Sequence, residues 1–167
     1  PGVSSVAIMT NNEPSNNKLV ALSQSFMYAA KTGDNTTAYV DSMRFLDFNR
    51  LKNELQTDAE KKAFWINAYN AYTQVLLKND PKAYEHRKTF FTSEQINVAG
   101  EMLSLDDIEH GFLRRSKVKW SLGYFGKLFP GKTEKALRVN KLDSRIHFAL
   151  NCGAKSCPPI AFYKSAN

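Results

Sequence analysis

The stretch TDAEKKAFWINAYNAYTQVLLK, residues 57–78, carries the strongest helix signal in the chain. Thr57 and Glu60 have the spacing of a capping box, in which each side chain binds the backbone amide of the other residue. Behind this start, apolar residues recur at helical spacing on one wide side: Phe64, Trp65, Ala68, Tyr69, Ala71, Tyr72, Val75 and Leu76. The stretch therefore predicts a central helix over Asp58–Lys78, which the segment Asn79-Asp80-Pro81 ends because proline cannot continue a helix.

Shorter elements are predicted on both sides of this helix. Apolar residues at helical spacing lead from Leu19 to a stop at Gly33, and a second helix is expected over Thr37–Leu55. Residues 96–103 have the pattern of a hairpin, Ser104 is placed to cap a following helix, and residues 143–152 fit either a strand or a helix. We expect an α+β domain whose helix-rich N-terminal part packs on a small antiparallel sheet. Residues 1–17 form a loose N-terminal arm in this prediction, and residues 18–167 form a single domain.

Composition excludes several classes of protein. The chain has 167 residues, of which 43% are hydrophobic and 23% charged, so it suits one globular domain. No apolar run approaches the roughly 20 residues that span a bilayer, and no transmembrane segment is predicted. The net charge of +7 comes from scattered lysines and arginines, and no basic-aromatic motif of a known nucleic-acid-binding module appears. Nucleic acid is therefore not an expected partner.

The chemistry is concentrated in residues 143–159, which hold both cysteines and one of the three histidines. A cysteine acts as a nucleophile when a nearby imidazole lowers the pKa of its thiol. His147 and Cys152 are five residues apart, so an ideal strand or helix would separate them, and His110 is an alternative base from another element. The second cysteine, Cys157, is an alternative nucleophile.

Other roles for the cysteines remain open. Cys152 also fits a buried core thiol beside Phe148, and Cys157 fits an incidental thiol or half of a disulfide. A Cys-x4-Cys pair with His147 is not a zinc spacing, so no metal site and no cofactor is predicted. A redox or disulfide-bonded protein is a further reading of the two thiols.

Two polar groups outside this segment are candidate supports for such a site. Asn67 and Asn70 lie on one side of an otherwise apolar helix, where a buried amide must be hydrogen-bonded. They are expected to orient a catalytic histidine or to tie down a loop. Glu109 and His110 resemble an acid and a base, although adjacent helical residues do not face each other. The nearby Asp106 and Asp107 are interpreted as surface charge.

Three motifs in order resemble a known family. They are FWINAYN, IEHGFLR and RIHFALNCGAKSCPP, which occupy residues 64–70, 108–114 and 145–159. Together they resemble the family catalogued as domain of unknown function 547 (DUF547), over roughly Lys61–Ile160. That family occurs in bacteria, often as exported proteins, and in plants, and it has no assigned activity. The resemblance implies a periplasmic or extracellular bacterial protein.

The resemblance also indicates a candidate site and a distant relation. It indicates that the following residues form one candidate site: Asn67, Asn70, Glu109, His110, His147, Cys152 and Cys157. Plant members keep a cysteine at the position matching Cys152 and have serine at the position matching Cys157, which favours Cys152 as the nucleophile. A relation to papain-like or transglutaminase-like cysteine hydrolases is implied, in permuted chain order. Family domains usually continue into a further helix, so we expect the domain to be incomplete at its C-terminal end.

The leading functional hypothesis is a thiol-dependent hydrolase that acts on an unknown peptide or amide. Cys152 would attack an acyl group and His110 or His147 would act as the base. Asn67 or Glu109 would orient the imidazole, with Asn70 as a supporting polar residue. The alternative is a non-catalytic binding domain in which these Asn, His and Cys residues form a structural network. Neither hypothesis specifies an oligomeric state.

Overall fold

The computed structural model describes residues 15–116 and 131–151. Within these ranges the helices are α1 (Lys18–Thr32), α2 (Thr37–Arg44), α3 (Phe48–Glu54), α4 (Asp58–Asn79), a 3-10 turn (Ala83–His86), α5 (Arg87–Thr92), a π-helix (Asp107–Leu113), α6 (Lys132–Leu137) and α7 (Ile146–Ala149). Strands β1 (Ile96–Val98) and β2 (Glu101–Leu103) form an antiparallel pair. The predicted α+β class is confirmed. Most of the predicted N-terminal arm and both cysteines lie outside the described residues.

Helix α4 is the central element, as its sequence predicts. The capping box is present: Thr57 Oγ1 accepts from the Glu60 amide at 3.2 Å, and Glu60 Oε2 accepts from the Thr57 amide at 2.9 Å. Every residue from Ala63 to Thr73 is buried, so the middle of the helix is enclosed on all sides. Helix α1 packs along α4, and the π-helix also packs against α4. A helix buried all round forms the core of its domain.

The helical stretch expected around Thr37–Leu55 is divided in the structure into α2 and α3. Asp47 accepts a hydrogen bond from the Arg50 amide at 2.7 Å and so starts α3 as an N-cap. The end of α2 is bound by residues that are distant in the sequence. The amides of Ala99 and Gly100 donate to the carbonyl oxygens of Met43 and Arg44. A long-range contact of this kind is invisible to helical periodicity.

The predicted hairpin is confirmed. Ile96 pairs with Leu103 and Val98 with Glu101, and Ala99-Gly100 forms the turn between the strands. Both turn residues have positive φ, 55° for Ala99 and 79° for Gly100. Two positive φ angles are the signature of the tight hairpin turn whose twist matches that of the strands.

Residues 138–151 lie along α4 and are held by its polar side chains. The Asp58 carboxylate accepts from the amides of Asn140 and Lys141, at 2.7 and 2.8 Å. Lys61 Nζ donates to the carbonyl oxygen of Arg138 at 3.1 Å. The sequence of residues 143–152 fits either a strand or a helix. In the structure, the described part of this stretch forms the short α7, which is followed by the extended Leu150 with φ −91° and ψ 124°.

No helix within the described ranges is long and apolar enough to cross a membrane. This finding agrees with the absence of a transmembrane segment that the sequence predicts.

Candidate functional site

The π-helix carries the candidate residues Glu109 and His110. Its start is fixed by Ser104, whose Oγ accepts from the Asp107 amide at 3.0 Å, while the Asp107 carboxylate accepts from the Ser104 amide at 2.9 Å. Asp107 is therefore part of a cap, and its interpretation as surface charge is wrong. The wide turns arise from backbone bonds that span five residues, such as that from the Arg114 amide to the Glu109 carbonyl at 2.9 Å. Such π turns are rare and occur often at functional sites.

The imidazole of His110 lies between a carboxylate and a guanidinium. Its Nε2 is 3.9 Å from Asp106 Oδ1, its Nδ1 is 3.4 Å from Arg114 Nη1, and its side chain is 15% exposed. Arginine only donates hydrogen bonds, so Nδ1 can take part in this contact only as an acceptor. The Nε2 side of the ring faces the Asp106 carboxylate.

Glu109 faces the same guanidinium as His110. Its Oε1 is 3.7 Å from Arg114 Nη1, so Arg114 lies beside both candidate residues. Sequence reasoning did not include Arg114 in the site, and it interpreted Asp106, which lies beside His110, as surface charge. The signal was present, because residues 106, 110 and 114 follow each other at the four-residue spacing of neighbours on a helix.

Helix α6 contributes a carboxylate against the π-helix. The side chain of Glu134 lies so close to Gly111 that a Cβ there would stand 3.3 Å from Oε1 and 3.4 Å from Cγ. The chain after α6 is fastened to the same element, since the Val139 amide donates to the Phe112 carbonyl at 2.9 Å. Glycine at position 111 therefore permits this close approach.

Asn67 is fully buried and joins the two packed helices α1 and α4. Its Nδ2 donates to Ser23 Oγ at 3.3 Å, and Ser23 is fully buried too. A buried amide that loses such a partner destabilises the fold. This contact gives Asn67 a role in fixing α1 against α4.

Asn70 holds the chain that leads to Cys152. Its Nδ2 donates to the Ala149 carbonyl at 3.0 Å, and its Oδ1 accepts from the Asn151 amide at 2.8 Å. The two bonds flank the extended Leu150, which is buried. The side-chain amide thus takes the place that the N–H and C=O of one residue in a neighbouring parallel strand would occupy.

His147 lies on α7 with an exposed side chain. Its ring contacts Phe148 edge to face, with 5.9 Å between ring centroids. Phe148 is 76% exposed, so it is not part of a core against which Cys152 would be buried. The structure therefore brings His110 into a polar cluster and places His147 at the surface.

Asp143 has a clearly perturbed pKa. Its carboxylate accepts from Arg145 Nη2 at 2.9 Å and from Lys62 Nζ at 3.2 Å. The hydrogen bonds from Arg145, followed by those from Lys62, hold the pKa of Asp143 well below its usual range, against the opposing effect of burial. The carboxylate stays charged and ties α7 to α4.

Cys152 and Cys157 lie outside the described residues, and Cys152 follows Asn151 directly in the sequence. Among the described side chains, no group of three or more His, Cys, Asp or Glu residues is arranged to hold a metal ion. The described part thus contains the His110 cluster on the π-helix and the Asn70 contact with residues 149–151. The proposed nucleophile comes next along the chain.

Comparisons with known proteins place the chain in a family. No curated protein and no solved structure matches it. A family model described as "Protein of unknown function, DUF547" matches residues 53–167, which is more than half of the chain. The matched range includes α4, the π-helix and residues 149–151, and thus all the candidate residues above. The chain therefore belongs to the DUF547 family.

Proposed function

We propose that this protein is a thiol-dependent hydrolase that cleaves a peptide or amide bond with Cys152 as the nucleophile. The observation that carries the proposal is the pair of hydrogen bonds by which Asn70 holds the chain immediately before Cys152. A nucleophile attached to a fixed backbone can meet its substrate in a constant geometry. The implied relation to papain-like or transglutaminase-like enzymes, in permuted order, is part of the same proposal.

His110 is the proposed base. It is mostly buried and has Asp106 on its Nε2 side, whereas His147 is exposed beside Phe148. In the proposed first step, Nδ1 takes the thiol proton while Arg114 moves from Nδ1 toward Glu109, which is already 3.7 Å from it. Asp106 then stabilises the imidazolium, as a carboxylate does for the histidine of other hydrolases.

The remaining chemistry follows from a charged thiolate. The sulfur attacks the substrate carbonyl carbon, a carbon–sulfur bond forms, and the carbon–nitrogen bond of the amide breaks. The leaving amine takes the proton from His110. Water then hydrolyses the thioester, releases the acid and returns the proton to the thiol.

Alkylation of the native protein tests the thiol. Iodoacetamide is added between pH 5 and 9, and mass spectrometry measures the labelling rate of each cysteine with and without prior reduction. We expect fast labelling of Cys152 at pH 6, because an activated thiol ionises below the usual pKa of about 8.5. His110→Asn should slow this labelling at least tenfold.

Two further variants distinguish the possible outcomes of this labelling experiment. His86→Asn is the matched control, because His86 is exposed in the 3-10 turn. Its labelling profile should equal that of the wild type, while His147→Asn identifies the base if His110→Asn has no effect. Slow labelling of both cysteines after reduction would overturn the hydrolase. Release of aminomethylcoumarin from a library of peptide amides, abolished by Cys152→Ser, is the direct readout of activity.

A binding domain is the second candidate, and one observation favours it. Both polar atoms of the Asn70 amide are engaged by backbone, and Asn67 contacts Ser23 across two helices. These are bonds that hold a scaffold together. Ordinary reactivity of both thiols, combined with a loss of stability in Asn67→Ala and Asn70→Ala, would support this function.

A further inference from the structure

Residues 141–148 expose two large apolar side chains to water. Phe148 is 76% exposed and Leu142 is 43% exposed, although Ile146 between them in the sequence is buried. Tight turns fold the stretch, because the amide of Ile146 donates to the Asp143 carbonyl and the amide of Phe148 donates to the Arg145 carbonyl. A ring that exposes most of its area protrudes from the protein. This surface is therefore convex, unlike the concave pockets that enclose small ligands.

The charges around these apolar side chains are mostly positive. Besides His147, residues 138–148 and the α4 side chains that bind them carry five basic groups and two carboxylates, namely Lys61, Lys62, Arg138, Lys141, Arg145, Asp58 and Asp143. Both carboxylates are engaged by the protein: Asp58 accepts from two backbone amides, and only 14% of the Asp143 side chain is exposed. Arg145 exposes 55% of its side chain, and Lys141 is exposed as well. The side chains that face water are therefore basic and apolar.

We propose that residues 141–148 bind the surface of a membrane that contains anionic lipids. Phe148 and Leu142 insert at the level of the headgroups, and Lys141 and Arg145 lie against the lipid phosphates. A bilayer is soft and continuous, so a protruding ring enters it without a preformed pocket, whereas a folded partner needs a matching cavity. The net charge of +7 of the whole chain favours the same partner. This inference goes beyond the proposed function and does not depend on it.

Phe45 is the matched control for Phe148. It is 74% exposed at the end of α2, and the guanidinium of Arg44 lies over its ring, 5.3 Å from the centroid. The adjacent charged residues in the sequence are Asp41, Arg44 and Asp47, so the charge of residues 41–47 is negative. An anionic membrane does not attract a surface of this sign. The comparison thus separates an exposed ring with basic neighbours from an exposed ring alone.

Vesicle flotation of the full chain tests the proposal. Vesicles of phosphatidylcholine are compared with an equal mixture of phosphatidylcholine and phosphatidylglycerol, at low and at high salt. We expect binding to the mixed vesicles only, and weaker binding at high salt because salt screens the attraction. Phe148→Ser should lower the partition coefficient about tenfold by removing the inserted ring. Lys141→Gln should lower it about fivefold by removing one charge, and Phe45→Ser should leave it unchanged.

A tryptophan reporter shows whether the ring at position 148 enters the bilayer. Phe148→Trp and Phe45→Trp each place an indole at an exposed position, and brominated lipids quench an indole that reaches the acyl chains. The difference in fluorescence between each variant and the wild type isolates the added indole. We expect quenching of this added fluorescence in Phe148→Trp and none in Phe45→Trp. Thermal unfolding of every variant should match that of the wild type, because both rings are exposed.

Three results would overturn the proposal. The first is no binding to the mixed vesicles, or equal binding to neutral and mixed vesicles. The second is binding that Phe148→Ser and Phe45→Ser weaken equally. The third uses soluble polyglutamate: if it binds without lipid and Phe148→Ser abolishes that binding, the surface recognises an acidic polypeptide instead of a membrane. None of these measurements involves a thiol, so this inference and the hydrolase can fail separately.

Discussion

Lys62 Nζ of α4 lies 3.2 Å from Asp143 Oδ2, although 81 positions separate the two residues in the sequence. The same carboxylate binds Arg145, so one acidic side chain joins the central helix to the start of α7. Only 14% of the Asp143 side chain is exposed, against 55% of that of Arg145. The carboxylate is therefore the shielded member of this cluster.

Replacing Asp143 by asparagine should destabilise the protein by about 1–2 kcal/mol at pH 7. The pKa of Asp143 is lowered in the folded state, so its contribution to stability is complete above the ordinary pKa of about 4. This contribution is lost as the pH falls from that value toward the lower pKa of the folded state. Urea unfolding of both proteins at pH 7 and pH 3 should show a smaller difference at pH 3. An equal difference at both values would contradict the role of the charge.

The capping box of α4 predicts a specific cost for losing Thr57. Thr57→Ala should lower the free energy of unfolding by about 1 kcal/mol, because it removes the acceptor for the Glu60 amide. Thr36→Ala is the control, since Thr36 precedes α2 but makes no side-chain cap bond. Chemical denaturation measures both. Equal losses of unfolding free energy in the two variants would show that the capping box does not contribute to stability beyond what an uncapped threonine contributes.

Gly111 and Glu134 should be energetically coupled. Alanine in place of a helical glycine normally stabilises by about 1 kcal/mol, but here the new Cβ meets the Glu134 side chain. Gly111→Ala should therefore be more favourable, by about 0.5–1 kcal/mol, in a Glu134→Ala background than in the wild type. A double-mutant cycle by urea unfolding measures this difference. Strictly additive effects would mean that the contact is not tight.

Tyr72 makes the protein sensitive to alkali. Burial raises the pKa of its hydroxyl above the usual value near 10, and this hydroxyl donates to the Asn97 carbonyl at 3.3 Å. The stability that Tyr72 provides is complete below about pH 10 and decreases as the pH rises above it, by about 1 kcal/mol per unit. Tyr72→Phe should cost less than about 1 kcal/mol at pH 7 and be the more stable protein at pH 11. A wild type that keeps its advantage at pH 11 would refute this prediction.

Local signals in the sequence predict part of this fold. The capping box, the apolar residues of α4 and the turn at Ala99-Gly100 each lie within a short stretch, and the structure confirms them. The break between α2 and α3 depends in part on bonds from the hairpin turn to Met43 and Arg44. The N-cap Asp47 is a local signal for the start of α3, whereas the bonds from the hairpin turn cannot be inferred from residues 37–55 alone.

The sequence names the candidate residues but does not give their arrangement. Motif order indicates His110, Asn67 and Asn70, but the π-helix alters which neighbours share a face. Glu109 and His110 were expected to diverge, and both lie beside Arg114 because its guanidinium reaches them from the next turn. The contact of Asn70 with Asn151 spans 81 positions and depends on the path of α7 along α4.

Helix α1 has a consequence for where this domain begins. The family match starts at residue 53, yet α1 packs along α4 and buries Leu19, Val20, Ser23, Phe26, Met27 and Ala29. Asn17 caps α1 and also donates to the Glu54 carbonyl and to Glu60, so it joins α1 to the start of the matched region. A fragment trimmed to residues 53–167 would expose an apolar face of its central helix to water. The matched region is thus smaller than the unit that packs together, and expression boundaries are better drawn from packing than from the bounds of the family match.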